Sequence, residues 1–298
     1  MDGIIVVDKP VGITSFDVVS RLRRLTGERR VGHAGTLDPM ATGVLPLFFG
    51  TATKLISLLP CQDKAYTATL RLGITTDTGD ITGSVHSRSD YPRQKEPLLA
   101  ALEHFRGRVS QLPPMYSAVH YQGRHLYEYA RAGEEVPRQP RDVTIYGLSL
   151  REAREETGEY TLDVTCSKGT YIRTLIEDIG AALGCGAVMT ALRRTAAAGF
   201  SLEQARTLEK LTSRQIDGEL AGCVLDAETP FVDLPAVEVT PRQAARFCHG
   251  GSLARERLGA PPASGLCRVR GAGRFLGLAR VADETGELRV AALLARPE

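Results

Sequence analysis

The sequence predicts an α+β fold, with a mixed, mainly antiparallel sheet, flanking helices and a small β-rich part at the C-terminal end. Two observations lead to this prediction. Strand and helix periodicities alternate irregularly along the chain without a fixed βαβ repeat, which favours an antiparallel over a doubly wound sheet. The C-terminal stretch GLCRVRGAGRFLGLARVADETGELRVAALLA contains three short apolar runs separated by turn residues, a pattern typical of a small barrel.

Length and composition limit the possible classes of protein. The chain has 298 residues, 43% of them apolar, which is enough for one large domain and a smaller one. No run of eighteen apolar residues occurs, and MDGIIVVDKP lacks the pattern of a signal peptide. We therefore predict a cytoplasmic protein without a membrane segment. The six cysteines form no CxxC pair and no zinc-like spacing with histidine, so neither a metal site nor disulfides are expected.

The charge pattern is more informative locally than overall. The net charge is only +2, but six of the 37 basic residues are lysine and the rest are arginine, whose planar guanidinium suits phosphate and base edges. The segment RLRRLTGERRVGH would steer a polyanion towards the loop that follows it, through Arg21, Arg23, Arg24, Arg29 and Arg30. The alternative is a solvated helix face, which charge alone favours.

The elements of the N-terminal part are predicted in order from periodicity and turn residues. GIIVVDKP is a strand, and Thr14 or Ser15 caps the helix that follows. A glycine-rich loop spans 31–46, and TATKLISLLP is a helix ended by Pro60. KAYTATLRLG alternates like a half-buried strand. We interpret TTDTGD as a solvated turn, because it lacks the twelve-residue spacing of a calcium loop.

The second part of the chain continues the same mixture. EPLLAALEHFRG is predicted to be a helix, and QLPPMYSAVHYQGRHLYEYARAG a proline-marked segment that leads into a tyrosine-rich helix. EEVPRQPRD is an exposed connector. VTIYGLSL and YTLDVTCSKG are strands, and a helix runs from near Thr170 to Gly184. The stretch 202–225 is polar and helical, and DAETPFVDLPAVEV marks a domain boundary.

A single carboxylate, Asp38, stands in the glycine-rich stretch VGHAGTLDPMATGVLP. Gly32, Gly35 and Gly43 permit backbone conformations that other residues avoid, and Pro39 disfavours a helical conformation of Asp38. We therefore expect a loop that holds Asp38 on an extended backbone and leaves room for a bulky ligand. The alternative is an ordinary Asp-Pro turn, which the dipeptide alone favours.

His33 stands five residues before Asp38 and suits several roles: a general acid, a metal ligand or a ring for stacking. A lone histidine usually has none of these. A histidine and aspartate would also suit a hydrolase, but no serine or cysteine lies in a nucleophile elbow nearby. No Walker loop and no GxGxxG after a strand indicates a nucleotide site.

Two later stretches contain candidate partners for Asp38. In CSKGTYIRT a strand ends near Lys168, and Arg173 lies in the first turn of the next helix. If Arg173 meets Asp38, the carboxylate stays ionised and aimed, as a carboxylate nucleophile requires. In KAYTATLRLG, Tyr66 alternates with core-facing residues and would cover a planar ligand. Each residue also fits an ordinary role, as a surface arginine or a core tyrosine.

Five segments together resemble the TruB family, the bacterial tRNA pseudouridine-55 synthases. The resemblance covers about 3–199 in order and is carried by VVDKPVGITSFDVV, GHAGTLDPMATGVLP, KAYTATLRLGITTDTGD, PPMYSAVHYQGRHLYEYAR and CSKGTYIRTLIEDIGAALGCGAVMTALRR. It implies the pseudouridine synthase fold for 1–228, with an insertion at about 121–142 that closes over the T-arm of tRNA. It also implies a PUA-like RNA-binding domain for 229–298.

The resemblance also implies roles for individual residues. Asp38 corresponds to the catalytic aspartate, Arg173 to the arginine that pairs with it, and Tyr66 to the tyrosine that stacks on the target base and is associated with proton transfer. The implied substrate-binding residues further include His33, which enters the T-loop, Tyr171 and Leu192, which line the uracil pocket, and Lys9, which with Pro10 forms a packed motif beside the active-site loop.

The implied reaction is the isomerisation of uridine 55 in the T-loop to pseudouridine, with a flipped base and an aspartate nucleophile. Because this reaction involves no redox change and no external group, no cofactor and no metal are expected. The implied partner is the T-arm of tRNA, bound by a monomer that needs no other protein. Whether the aspartate attacks the ribose or the ring, and whether Tyr66 is the base, stay open.

Three other hypotheses compete with this one. A non-catalytic RNA-binding or RNA-folding protein would use the same scaffold, but Asp38, Tyr66 and Arg173 are all intact. A guide-RNA-dependent relative of the dyskerin type is disfavoured by the T-arm insertion and by the lack of a long lysine-rich tail. A hydrolytic N-glycosidase using Asp38 and His33 would release free uracil, which can be measured directly.

Overall fold

The architecture is that of a computed structural model, which describes residues 1–92, 94–259 and 261–294. The strands are, in chain order, β1 (Gly3–Lys9), β2 (Val31–His33), β3 (Thr42–Phe49), β4 (Lys64–Leu72), β5 (Ile74–Thr76), β6 (Val85–Arg88), β7 (Gly107–Gln111), β8 (His120–Tyr121), β9 (Arg124–His125), β10 (Arg141–Arg154), β11 (Glu159–Cys166), β12 (Ala187–Ala197), β13 (Phe200–Ser201), β14 (Ala236–Glu238), β15 (Leu266–Gly271), β16 (Arg274–Val281) and β17 (Leu288–Leu293). The helices are α1 (Ser15–Thr26), α2 (Glu96–Glu103), α3 (Leu126–Arg131), α4 (Ile172–Ala182), α5 (Leu208–Ile216) and α6 (Pro241–Cys248).

A large mixed sheet forms the centre of the molecule. Its strands follow the order β1-β3-β12-β4-β11-β10-β7, with β2 added to β3 and β13 to β12. The pairing of β3 with β12 is parallel, and the other pairs of this sheet are antiparallel. The predicted α+β class with a mainly antiparallel sheet is therefore confirmed.

Local sequence explains the ends of α1. The Thr14 hydroxyl accepts a hydrogen bond from the Asp17 backbone N–H at 3.0 Å, and the Asp17 carboxylate accepts one from the Thr14 backbone N–H at 2.8 Å. This reciprocal pair is a capping box, as expected at a helix start. Gly27 ends the helix in the left-handed conformation, which costs glycine little. The predicted helix start is confirmed.

The glycine-rich stretch 31–46 is not one loop, contrary to the prediction. β2 and the first half of β3 occupy its ends, so only 34–41 lies outside a strand. Every residue of β3 after Thr42 is buried, and this continuous apolar run forms a central strand despite its glycine and proline. Pro46 has no N–H to donate, and its carbonyl accepts a hydrogen bond from the Ala34 backbone N–H at 3.0 Å.

Gly43 is needed where β3 runs beside β12. It has a φ of +104°, and a β-carbon on it would lie 2.1 Å from the Arg194 carbonyl oxygen. Any other residue there would collide with β12. Of the other two glycines singled out in the sequence, Gly35 has a positive φ and Gly32 does not, because Gly32 lies in β2.

Strand β12 lies between β3 and β4, and its sequence did not predict it. AVMTALRRTAA is rich in alanine and arginine, residues that do not favour strands, and its pairing with β4 shifts register twice. The helix predicted from TATKLISLLP is present as a 3₁₀ helix at Gly50–Leu58. The helices predicted from EPLLAALEHFRG and from the tyrosine-rich segment are α2 and α3.

The β-rich C-terminal part is confirmed. The three strands predicted there are β15, β16 and β17, and β14 joins them by parallel pairing with β15. Among the residues that the structure describes, β14 does not pair with β17, so the four strands form an open sheet rather than the expected barrel. The helix α6 was not predicted either.

The C-terminal sheet packs against the larger part of the chain. Leu278 and Ala292 share an apolar cluster with Ile4 and Phe48, and the Lys54 ammonium donates to the Leu293 carbonyl at 2.9 Å. Burial of this cluster stabilises the junction through the hydrophobic effect. In the described ranges no helix has the length and apolar character needed to cross a membrane.

Candidate active site

An open cavity of about 550 Å³ lies where the large sheet meets the loop 34–41. Its walls come from separate segments: 36–38 of the loop, 64 and 66 of β4, 116–120 before β9, 141 of β10, 169–173 before and in α4, and 192 of β12. The cavity thus joins residues that are up to about 150 positions apart in the chain.

Asp38 and Arg173 meet in this cavity. The Arg173 Nε lies 3.1 Å from the Asp38 Oδ2. The Asp38 side chain is 36% exposed whereas that of Arg173 is 6% exposed, so the carboxylate faces the cavity and the cation lies behind it. Asp38 also begins a turn, because its carbonyl accepts from the Ala41 backbone N–H at 3.0 Å with Pro39 between them. The open loop expected around Asp38 and the alternative, an Asp-Pro turn, are therefore both present.

The other two nitrogens of Arg173 are bound to the backbone. Nη1 donates to the Thr78 carbonyl at 3.0 Å, and Nη2 donates to the Tyr116 carbonyl at 2.6 Å. These bonds fix the plane of the guanidinium, so that the edge bearing Nε points at Asp38.

The TTDTGD segment is not a solvated turn, contrary to the prediction. Thr76 is 7% exposed and Asp80 is 6% exposed. The Asp80 carboxylate accepts hydrogen bonds from the backbone N–H of Thr82 at 2.9 Å and from the Thr78 hydroxyl at 3.1 Å. The segment is folded inward because its own hydroxyl and backbone groups satisfy the acid, and its Thr78 carbonyl then holds Arg173.

The pKa of Asp38 is raised above its usual value. Burial is the largest cause, Arg173 opposes the shift, and the nearby Asp80 adds to it. Arg173 therefore offsets only part of the cost of holding a charged group away from water.

Lys9 binds backbone carbonyls of the loop 34–41 and does not line the cavity. Its side chain is 0% exposed, and its ammonium donates to the carbonyls of Ala41 at 2.7 Å, Pro10 at 2.9 Å and Pro39 at 3.3 Å. Burial lowers the pKa of Lys9 to about 8. The resemblance implies that Lys9 packs beside the loop and belongs to the substrate-binding residues; the structure places its ammonium on these carbonyls, and its part in substrate binding stays a prediction.

Arg194 supports the loop from β12, and sequence reasoning missed it. Its Nε donates to the Val44 carbonyl at 2.8 Å, Nη1 to the Thr36 carbonyl at 3.1 Å and Nη2 to the Gly35 carbonyl at 2.9 Å. The residue is 0% exposed, and a fully buried charge needs such partners. The only sequence signal was an arginine pair within an apolar segment, which by itself indicates a surface.

Tyr66 lies beside Arg194 on the neighbouring strand and forms part of the cavity wall. The two residues are paired across β4 and β12, and their side chains interact. Tyr66 is 7% exposed, and burial raises the pKa of its hydroxyl to about 12. The phenol is therefore protonated at neutral pH.

Tyr171 and Leu192 also line the cavity. Tyr171 is held by a buried glutamine that was not predicted: its backbone N–H donates to the Gln111 Oε1 at 3.0 Å, and the Gln111 Nε2 donates to its carbonyl at 3.2 Å. This pair fixes the chain directly before α4, and hence the position of Arg173.

His33 does not line the cavity. It lies in β2, and its Nδ1 is buried without a hydrogen-bond partner in the described part of the chain. Burial and the nearby Arg194 lower the pKa of His33, so the ring is neutral at pH 7. The structure thus brings Asp38, Arg173 and Tyr66 together and leaves His33 apart.

The cavity suits a planar ring and a carboxylate nucleophile. Asp38 lines a recess together with Tyr66 and Leu192; the aromatic ring of Tyr66 offers a face for stacking of a planar ring, and Leu192 offers apolar contact. Within the described ranges, no cluster of three or more His, Cys, Asp or Glu side chains is arranged to hold a metal ion.

Comparison with known families assigns this fold to the pseudouridylate synthases. Residues 23–172 match the model of the TruB family pseudouridylate synthase N-terminal domain, and 173–232 match the tRNA pseudouridylate synthase B C-terminal domain. Residues 235–294 match the C-terminal domain of pseudouridine synthase II TruB. The chain belongs to the TruB family, which confirms both the resemblance and the enzyme class predicted from the sequence.

Individual relatives agree with this assignment. The tRNA pseudouridine synthase B of Cupriavidus metallidurans is 44% identical over 292 residues, which cover 96% of this chain and 92% of the relative. The protein of the same name from Chromobacterium violaceum is 47% identical over 250 residues, which cover 84% and 81%. A chain in the crystal structure of a Cbf5-Nop10-Gar1 complex has a TM-score of 0.75 and 26% identity, covering 98% of this chain and 84% of that one.

Proposed function

We propose that this pseudouridine synthase converts the uridine at position 55 in the T-loop of tRNA into pseudouridine. The observation that carries this proposal is the Asp38–Arg173 pair, in which a buried cation holds an accessible carboxylate at the wall of a cavity. The names of the relatives, tRNA pseudouridine synthase B, support tRNA as the substrate.

The reaction requires the target base to leave its stack. The bond between uracil N1 and ribose C1′ breaks, and a bond between C5 and C1′ forms. The proton on C5 leaves, and N1 gains a proton. In a stacked duplex or loop no protein group can reach these atoms, so the base is flipped at a cost of a few kcal/mol. Stacking on Tyr66 and contact with Leu192 offset that cost.

Asp38 acts as the nucleophile. Only its Oδ2 is paired with Arg173, and neither a hydrogen bond nor an ion pair occupies Oδ1 in the described ranges. The arginine keeps the group ionised and turned into the cavity, and Oδ1 stays available for attack. The raised pKa of Tyr66, about 12, favours a phenol that donates a hydrogen bond to the base over a phenolate that removes a proton.

The segment 121–142, which contains α3, is assigned to closing over the T-arm. It follows directly on 116–120, which forms one wall of the cavity, so RNA that reaches Asp38 passes beside it. The arginines of α1 and the C-terminal sheet are assigned to phosphate contacts, as expected where RNA is recognised by shape. The protein is proposed to work as a monomer without a guide RNA.

The test uses an unmodified tRNA transcript. It is incubated with the wild type, with Asp38→Asn and with Asp233→Asn, a matched change at an exposed aspartate outside the cavity. Digestion, a uridine-specific chemical tag and mass spectrometry then locate pseudouridine. We expect one tagged site at position 55 with the wild type and with Asp233→Asn, and none with Asp38→Asn, although that variant still binds the transcript.

Three results would contradict the proposal. Product with Asp38→Asn would remove the nucleophile from its role. Release of free uracil would indicate an N-glycosidase. Binding of RNA without product by the wild type would favour the non-catalytic hypothesis.

A further inference from the structure

Lys64 is a cation in the cavity that the reaction as described does not use. It is the first residue of β4, between Cys166 of β11 and Ala197 of β12. Side chains alternate between the two faces of a strand, so Lys64 and Tyr66 project from the same face. Both residues line the cavity that contains Asp38.

The ammonium of Lys64 is unpaired in the described structure. No carboxylate lies within 4.0 Å of it, and it donates no hydrogen bond within those described ranges, whereas Lys9 has three carbonyl partners and Lys54 has one. Burial and the nearby Arg194 lower the pKa of Lys64. A half-buried cation without an acceptor is costly, and an anion bound from outside would relieve that cost.

Arg194 and Lys64 lie close to each other beside Gly35 of the loop, and of the two cations only Lys64 lines the cavity. A β-carbon on Gly35 would lie 3.5 Å from the Arg194 Nη1 and 4.0 Å from the Lys64 Nζ. Two cations therefore approach the same point on the loop, and glycine leaves that point open. Each of the three Arg194 nitrogens already donates to a backbone carbonyl, whereas the Lys64 ammonium donates no hydrogen bond within the described ranges.

We propose that the Lys64 ammonium binds a backbone phosphate of the RNA strand that enters the cavity, beside the flipped nucleotide. This inference rests on the proposed function, because it requires RNA in the cavity. The contact places the sugar of the target nucleotide relative to Asp38, and it differs from the surface contacts of the arginines in α1 because Lys64 lies inside the cavity. A uracil carbonyl is the competing acceptor for the same donor.

The first experiment measures affinity for a T-arm stem-loop at several salt concentrations. The variants are Lys64→Met, Lys64→Arg and Lys95→Met, a matched control at an exposed lysine before α2 that does not line the cavity. We expect Lys64→Met to bind about tenfold more weakly and to lower the slope of log K against log salt by about one. Lys64→Arg restores the slope, and Lys95→Met leaves both quantities unchanged.

A second experiment identifies the phosphate. Single methylphosphonates, which are neutral, replace the phosphates of the T-loop one position at a time. One position next to the target uridine is expected to weaken the wild type about tenfold and to have no effect on Lys64→Met. This non-additivity indicates direct contact; at every other position of the loop we expect the substitution to change the affinity of the wild type and of Lys64→Met by the same factor.

The outcomes separate this inference from the proposed function. If the wild type forms pseudouridine but Lys64→Met keeps the affinity and salt slope of Lys95→Met, the phosphate contact is wrong. Weaker binding with an unchanged slope would assign Lys64 to the uracil carbonyl and would also overturn it. The remaining outcome separates the two proposals: neither the wild type nor any variant forms pseudouridine, but Lys64→Met lowers the slope of log K against log salt by about one. In that case the proposed function fails and the phosphate contact stands.

Discussion

Two acidic side chains in different regions of the molecule are both bound by arginine, yet they differ in what they can do. In the cavity, Asp38 is paired through one oxygen with Arg173, and its side chain is 36% exposed. At the junction before the C-terminal sheet, Glu228 is paired with Arg268 at 2.9 Å and with Arg270 through its other oxygen, and its side chain is 10% exposed.

The difference lies in how many carboxylate oxygens are in use. Both oxygens of Glu228 accept hydrogen bonds from guanidinium groups, so this carboxylate ties β15 to the preceding segment. Because both oxygens are occupied, Glu228 is not available to a ligand. Arg173 instead directs two of its three nitrogens to carbonyls and leaves half of Asp38 free. An arginine and a carboxylate therefore make either a reactive site or a structural junction, depending on the bonds around them.

The largest expected effect tests the role of Arg173 at the active site, in contrast to the structural role of the arginines that bind Glu228. Arg173→Met removes the cation behind Asp38, and we expect single-turnover pseudouridine formation to fall about 100-fold or more, because the carboxylate is no longer kept ionised and aimed. The affinity for RNA should change little. Arg151→Met is the control, since Arg151 is 59% exposed and pairs with Asp163 outside the cavity. An equal loss of rate in both variants would contradict the assigned role of Arg173.

Glu228→Gln tests the structural role of the Glu228 carboxylate. The variant removes the charged partner of Arg268 and leaves Arg270 with only the exposed Glu238, at 3.4 Å. We expect the free energy of unfolding to fall by about 2 kcal/mol, measured by urea denaturation. The rate per folded molecule should not change. Glu238→Gln is the matched control, because Glu238 is 65% exposed and its loss is expected to change stability by less than about 0.5 kcal/mol. Similar stability losses in both variants would show that burial does not distinguish the two acids.

The smallest effect concerns the pH dependence of the reaction. Burial raises the pKa of Asp38, Arg173 opposes this shift, and Asp80 adds to it. Because the proposed nucleophile must be ionised to react, the rate should fall as pH decreases through this raised pKa, about tenfold per pH unit below it. The acid limb of the single-turnover profile is therefore expected above 3.8, the ordinary value.

Asp80→Asn sharpens that test. It removes a negative charge close to Asp38, so the midpoint of the acid limb should move to lower pH. Circular dichroism at each pH verifies that the variant stays folded. A midpoint that moves up, or does not move, would show that Asp80 does not influence the nucleophile.

The predictions that held concern short stretches of sequence. Local patterns of capping, alternation and turns encode the start of α1, the strand that contains Tyr66, the helix α4 that begins at Ile172, and the three C-terminal strands. The errors concern 31–46 and TTDTGD, where glycine, proline and polar residues indicated loops. Pairing with distant strands and satisfaction of the Asp80 carboxylate overrode these local preferences.

The sequence by itself determined the fold class, the family and the identity of the candidate nucleophile, because these depend on residue types and spacing within continuous segments. Only the tertiary structure decided that Lys9 lies under the loop and that Arg194 and Asp80 are buried beside the site. It also decided that the strand face shared by Lys64 and Tyr66 lines the cavity that contains Asp38. Each of these features depends on contacts between residues far apart in the chain, and a buried charge is stable only where such contacts supply its partners.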